Sequence, residues 1–174
     1  MNQDWKASSE PVENLTEIDM TISLNAINPE WKEDWLASEK GEIAFELDLK
    51  FFKQNYPDHW FRKIQTFAIQ IPTFIELYRD LSAKLTQTSS YIQSKPGNAL
   101  QSLPLVSEQI VLTKGINDSG TVVIDFHDDR TLPFAGTGAI SCWTLVLPRS
   151  GNRWTIENIL DLVIVLRYTA KSVR

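Results

Sequence analysis

The chain has 174 residues, a net charge of −5 and a single cysteine. This length fits about one domain and allows a hydrophobic core to be buried without disulfide bonds or structural metal ions. The acidic balance opposes binding to a phosphate backbone, so we expect no nucleic-acid partner. The absence of a second cysteine excludes a disulfide framework and a multi-cysteine zinc site.

The N-terminal stretch, 1–17, is polar and predicts a flexible tail or linker ahead of one partner-binding domain at 18–174. It has neither a basic start nor an apolar core, so no secretory signal is visible and the localisation stays open. No apolar run in the chain approaches the ~18 residues of a membrane helix, and we expect no membrane contact by this chain itself.

Alternation of apolar and polar residues dominates after the tail and is typical of half-buried strands. The last of these strands is apolar on both faces, which indicates a central position in a sheet. Cys142 lies in an apolar run and is interpreted as a small buried hydrophobe rather than a nucleophile. The predicted strands are 20–24, 43–49, 64–71, 81–88, 109–113, 121–126, 141–147 and 162–168.

Helical signals are few. Residues 29–37 predict a short helix, since a proline suits its first position and Trp31 and Trp35 lie one turn apart. A second helical turn is expected from Thr155, and 94–103 predicts a long loop or an edge hairpin. Many short strands with one or two short helices predict an all-β fold, a jelly-roll-like β-sandwich.

The densest polar cluster is DFHDDR at 125–130. Carboxylates and an imidazole can bind a divalent ion or act as acid and base, and a hydrolase centred on His127 is one hypothesis. The spacing does not match an EF-hand loop, and such a cluster at the end of a strand is more often a solvated turn with a local ion pair. We favour the structural interpretation.

The second histidine, His59, lies in the turn NYPDHW at 55–60. Because a residue before proline is held extended, this is a rigid turn entering a strand, and we expect His59 to lock it by hydrogen bonds. No nucleophile elbow accompanies either histidine, and the GTG at 136–138 lacks the rest of a phosphate loop. We therefore predict no catalytic residue, metal or cofactor.

Six tryptophans are a high count for this length. Exposed aromatic rings stack on sugars or anchor protein interfaces. Trp143 alternates with apolar neighbours and is predicted to be core, whereas Trp31, Trp35 and Trp154 are more ambiguous, with the core favoured. A carbohydrate-binding β-sandwich is therefore kept as an alternative.

Three stretches carry a more specific signal. NYPDHWFRKIQTFAIQIP at 55–72, NDSGTVVIDFHDDRTLPFAGTGAISCWTLVLP at 117–148 and the closing RYTA at 167–170 follow one another at compatible spacing. In this order they resemble the C-terminal B-component-binding domain of the A component of bacterial Tc insecticidal toxins, over about residues 20–174. Asp58 departs from the pattern, since it stands where that family usually has glycine.

The resemblance implies a non-catalytic β-sandwich, part of a secreted toxin complex, that binds the β-propeller of the B component and gates toxin entry to the channel. It implies a pentamer only within a full A component. It also implies that loop residues contact the partner protein. These candidates are Tyr56, Asp58, His59, Trp60, Asp128, Asp129, Arg130, Phe134 and Thr137.

Overall fold

The computed structural model describes residues 13–72, 82–105, 109–112, 121–125, 134–148 and 159–173. Strands predominate in these ranges and the helices are short. In chain order the elements are β1 (Glu13–Ser23), α1 (Leu24–Ile27), α2 (Trp31–Ala37), β2 (Glu42–Leu47), α3 (Leu49–Asn55), β3 (Trp60–Pro72), β4 (Ser82–Gln93), β5 (Leu100–Ser102), β6 (Gln109–Leu112), β7 (Thr121–Asp125), β8 (Ile140–Val146) and β9 (Val163–Val173).

The strands form two antiparallel sheets. The first sheet has the order β1-β9-β3-β7, and the second has the order β2-β8-β4-β5, with β6 also paired to β4. The all-β sandwich is confirmed. The central position predicted for the last strand is also confirmed, because β9 pairs with β1 on one side and β3 on the other.

The inward faces of both sheets meet in one hydrophobic core. Period-two alternation produces this directly: in β2 every second side chain is buried. An aromatic group lies at the centre, where the Trp143 ring stacks on Phe67 at 4.6 Å and meets Phe134 edge-on at 4.8 Å between centroids. Such pairs add about 0.5–1.5 kcal/mol each beyond the area they bury.

β1 is longer than the sequence predicts. It begins at Glu13 and pairs with β9 without interruption from Glu13↔Val173 to Ser23↔Val163. Residues 13–17, expected in the tail, are therefore strand, because the neighbouring strand supplies hydrogen-bond partners that a polar local sequence does not reveal. The remainder of the predicted tail, 1–12, lies outside the described residues.

The helices differ in part from expectation. α2 begins at Trp31 rather than at Pro29, and α3 lies where the predicted strand 43–49 ends and beyond it. The physical reason is Asp48, whose side chain accepts a 2.7 Å hydrogen bond from the backbone N–H of Phe51 and so caps a new helix. The predicted turn at Thr155 lies outside the described residues. Of the stretch 94–103, residues 100–102 form edge strand β5.

The tryptophans within the described ranges are buried: Trp31 is 0%, Trp35 7%, Trp60 3% and Trp143 1% exposed. The core interpretation is confirmed for Trp31, Trp35 and Trp143, whereas Trp154 lies outside the described residues. Cys142 is half-buried instead of buried, because alternation along β8 directs its neighbour Trp143 to the core. In the same ranges, no helix is long and apolar enough to cross a bilayer.

Candidate functional site

Several chain segments meet at one end of the sandwich, which we call the loop end. β3 starts here and pairs Trp60 with Lys171 near the end of β9. β8 also starts here and pairs Ile140 with Tyr91 near the end of β4. The loop end therefore carries the 56–59 turn between α3 and β3, the 134–139 segment before β8, and the 94–99 loop after β4.

The 56–59 turn is tied at its base. The N–H of Tyr56 donates to Phe52 at 3.1 Å and the N–H of His59 donates to the Tyr56 carbonyl at 3.3 Å. The Tyr56 and His59 rings stack in parallel, with centroids 4.9 Å apart. The imidazole Nδ1 of His59 has no hydrogen-bond partner in the described structure. Ring stacking and a backbone hydrogen bond therefore hold this turn within the described residues.

β3 is distorted where it leaves the turn. Phe61 has a φ of 56°, in the left-handed region, and the pairing with β9 shifts register between Trp60 and Lys63. For a residue with a bulky side chain this conformation costs about 1–2 kcal/mol. The Nζ atoms of Lys63 and Lys171 lie 4.8 and 4.5 Å from the Phe61 ring centroid, so that two cations contact one aromatic ring.

Arg62, the next residue, is only 1% exposed. Its Nη2 donates to the Tyr56 carbonyl at 2.9 Å, and its guanidinium lies 5.6 Å from the Phe52 ring centroid. The Nε and Nη1 atoms have no partner among the described residues. Burial lowers the pKa of Arg62, with the nearby Tyr168 opposing this shift.

Tyr168 of β9 is fully buried beside this guanidinium, which acts on its hydroxyl as a positive charge and as a hydrogen-bonding neighbour. Burial raises the pKa of Tyr168 to about 12, although the positive charge of Arg62 acts in the opposite direction. Burial likewise lowers the pKa of His59, reinforced by Arg62 and opposed by Asp58. The region beneath the turn is thus a desolvated, positively charged place.

The 134–139 segment lies along β3. The N–H of Ile64 donates to Thr137 at 2.8 Å, and the N–H of Ala139 donates to Arg62 at 3.0 Å. Gly138 is in close contact with β4, since a Cβ at this position would lie 2.0 Å from the carbonyl oxygen of Tyr91. Gly136 has a φ of 85°, in the left-handed region that glycine adopts without strain, and nothing lies within 4 Å of a Cβ added there. Gly138 therefore serves close backbone packing, whereas Gly136 serves the turn before β8.

β3 brings together two groups of predicted site residues. One group lies in the turn that leads into β3, and the other lies in the 134–139 segment that is hydrogen-bonded to β3. Tyr56 and Asp58 are exposed and His59 is half-buried. Trp60, Phe134 and Thr137 are 3%, 2% and 6% exposed, so they lie beneath the surface and support the loops. Thr137 does this by donating from Oγ1 to the Phe134 carbonyl at 2.7 Å. The predicted contacts Asp128, Asp129 and Arg130 lie outside the described residues.

Sequence reasoning missed Arg62 and Tyr168. A signal for Arg62 was present, because alternation from Trp60 through Arg62 to Ile64 places all three on one face of β3, and all three are buried. Charged residues are almost never fully buried without a partner, so the alternation alone does not predict that Arg62 is buried.

A family model described as the Tc toxin complex TcA C-terminal TcB-binding domain matches residues 6–170. This chain belongs to that family. The resemblance carried by the 55–72 and 117–148 stretches is thereby confirmed.

Relatives of this TcB-binding domain are much longer. Toxin subunit YenA2 of Yersinia entomophaga is 30% identical to it over 175 residues, which cover 88% of this chain and 12% of YenA2. The cryo-EM structure of Yersinia pseudotuberculosis TcaA-TcaB has the same fold, with a TM-score of 0.57 and 19% identity over 90% of this chain and 10% of that chain. The domain thus spans about a tenth of the length of these relatives.

Proposed function

We propose that this TcB-binding domain is a non-catalytic docking module that binds the β-propeller of a Tc B component through its loop end and so gates toxin entry to the channel. The observation that carries the proposal is the stacked pair of Tyr56 and His59, which is presented on a tied turn at one end of a rigid sandwich. A preformed aromatic surface of this kind loses little conformational entropy when a partner binds.

The proposed contacts are the accessible side chains of the loop end. Tyr56 is 38% exposed, and Asp58 beside it is also exposed. An aromatic anchor next to charged groups is a common composition for the centre of a protein interface. Asp128, Asp129 and Arg130 remain proposed contacts from the sequence, and the buried Trp60, Phe134 and Thr137 are proposed to hold the loops in place.

Within a full A component, five such domains are proposed to engage one B component together. Repeated engagement increases avidity without any new contact, so each copy can bind weakly alone. The geometry supports this arrangement, since the described contacts Tyr56 and Asp58 lie together at one end of the sandwich.

The proposal is tested by biolayer interferometry with an immobilised B component and the purified domain. We expect Tyr56→Ala to weaken binding by about tenfold or more, as for the loss of an interface anchor. Leu160→Ala is the matched control, because Leu160 is 40% exposed and its N–H bonds to Pro72 at the opposite end of β3. Unchanged binding by Tyr56→Ala together with loss by Leu160→Ala would place the docking surface at the other end.

A carbohydrate-binding role has less support. An open groove of about 400 Å³ lies over β2 and β8, lined among others by Phe45, Cys142 and Trp143. Its tryptophan is 1% exposed and therefore offers no ring face for stacking on a sugar. A glycan screen of the purified domain is expected to give no binding.

A further inference from the structure

We propose that Arg62 forms a covered binding site for a carboxylate, which receives an acidic side chain of the docking protein when the 56–59 turn lifts. This inference rests on the proposed docking function and adds the chemistry of the partner residue. The site consists of Arg62, Tyr168 and the turn above them.

The first step is the charge balance. Arg62 is 1% exposed, yet two of its donor atoms, Nε and Nη1, have no partner in the described structure. The Nη2 atom donates to a neutral acceptor, the carbonyl oxygen of Tyr56. A buried cation without a counter-charge carries a desolvation cost that a hydrogen-bonded anion offsets.

The second step is the identity of the neighbouring groups. The Trp60 indole Nε1 is also buried and without a hydrogen-bond partner among the described residues, and the buried Tyr168 hydroxyl has Arg62 as its hydrogen-bonding neighbour. Guanidinium and indole groups only donate hydrogen bonds, and a phenol donates one readily. Among the described residues this region therefore offers more donors than acceptors. A carboxylate fits it best, because its two oxygens match the fork of an arginine.

The third step is access. Tyr56 covers Arg62 but is itself 38% exposed, and its turn is closed by a 3.3 Å backbone hydrogen bond and a ring stack. Lifting this turn exposes the guanidinium to water or to a ligand, which relieves its desolvation. The strained backbone of Phe61, at a φ of 56°, adjoins Arg62 and places unfavourable conformational energy at the edge of the site.

The fourth step selects a protein carboxylate over a phosphate. The carboxylate of Asp58 acts electrostatically on His59 in the same turn, and it would repel a dianion more than a single negative charge. The loop end is nonetheless basic around Phe61, where Lys63 and Lys171 converge, in a chain of net charge −5. An acidic loop of a partner protein complements this local field.

Two measurements test the site. In the first, 15N NMR follows the arginine Nε–H resonances of the wild-type domain during titration with acetate, with chloride at equal ionic strength as the reference. We expect the Arg62 resonance to shift with acetate and not with chloride. The exposed Arg167, held by Asp19 at 2.6 Å, is the internal control and is expected to shift less.

In the second, Arg62→Met is compared with Arg167→Met for binding to the B component and for thermal unfolding. We expect Arg62→Met to lower affinity about a hundredfold and Arg167→Met to change it less than about threefold. Arg62→Met is expected to melt at the wild-type temperature or above, because it removes a buried unpaired charge.

The outcomes separate the two proposals. Wild-type affinity in Arg62→Met, or an Arg62 resonance that does not respond to acetate, overturns the carboxylate site and leaves docking intact. A melting temperature well below wild type shows that Arg62 only braces the turn, and this also overturns the site. Failure of the wild-type domain to bind any B component, with a normal acetate response, removes the docking function instead.

Discussion

The imidazole of His59 lies parallel to the phenol ring of Tyr56, with an angle of 11° between the planes. Burial and the charge of Arg62 both lower the pKa of His59 in the folded state. The stacked turn therefore favours the neutral imidazole, and its stability is linked to pH.

The first prediction follows from the sign of this linkage. Below the ordinary histidine pKa of about 6.5, the unfolded chain binds a proton that the folded domain binds less readily, so this contribution to stability falls as the pH falls. We expect His59→Phe, which keeps an aromatic ring for stacking, to lose less stability than wild type between pH 7.5 and pH 5. Urea unfolding at both values measures it; equal losses would contradict the linkage.

The second prediction concerns Gly138. A methyl group there would meet the backbone of Tyr91 at 2.0 Å, so Gly138→Ala is expected to destabilise the domain by about 3 kcal/mol or more through overpacking. Gly97→Ala is the control: its φ of 80° is unfavourable for alanine, but no atom lies within 4 Å of the added carbon. We expect about 1 kcal/mol there. Similar losses in both variants would show that backbone strain, and not contact with β4, decides the cost.

The third prediction links a helix cap to docking. Asp48 caps α3, and α3 ends at the turn that carries Tyr56. We expect Asp48→Ala to cost about 1 kcal/mol of stability and to weaken binding to the B component several-fold. Glu46→Ala, an exposed acidic position on the adjoining strand, is the control and should change neither. Full affinity in Asp48→Ala would mean that α3 does not position the turn.

The fourth prediction concerns the aromatic core. Trp143 is in ring contact with Phe67 and Phe134, and is 1% exposed. We expect Trp143→Ala to lower the free energy of unfolding by about 3–5 kcal/mol. Chemical denaturation measures this, with the exposed Leu160→Ala expected within about 0.5 kcal/mol of wild type. A loss below about 1 kcal/mol for Trp143→Ala would show that the two sheets do not depend on this contact.

Elements that follow one periodic pattern could be predicted from their own residues. β2 and β8 alternate buried and accessible positions as their sequences indicate, because side chains of a strand point to opposite faces in turn. β9 also alternates, although its sequence is apolar on both faces. α3 was not predicted, although Asp48 before an apolar run is a recognisable N-cap. The alternation that precedes Asp48 continues to residue 49, so the predicted strand was extended over the start of the helix.

What the sequence determined by itself is the all-β class, most of the strands and the family, since these depend on short-range pattern and ordered motifs. Alternation along β3 places Trp60 and Arg62 on one face. Tertiary structure alone decided that this face lies under the loops with Phe134 and Thr137, and that Arg62 bonds to Tyr56. Burial at these positions depends on how α3, the 134–139 segment and β9 come together around the start of β3. Those contacts join residues up to about a hundred positions apart, and no local pattern encodes them.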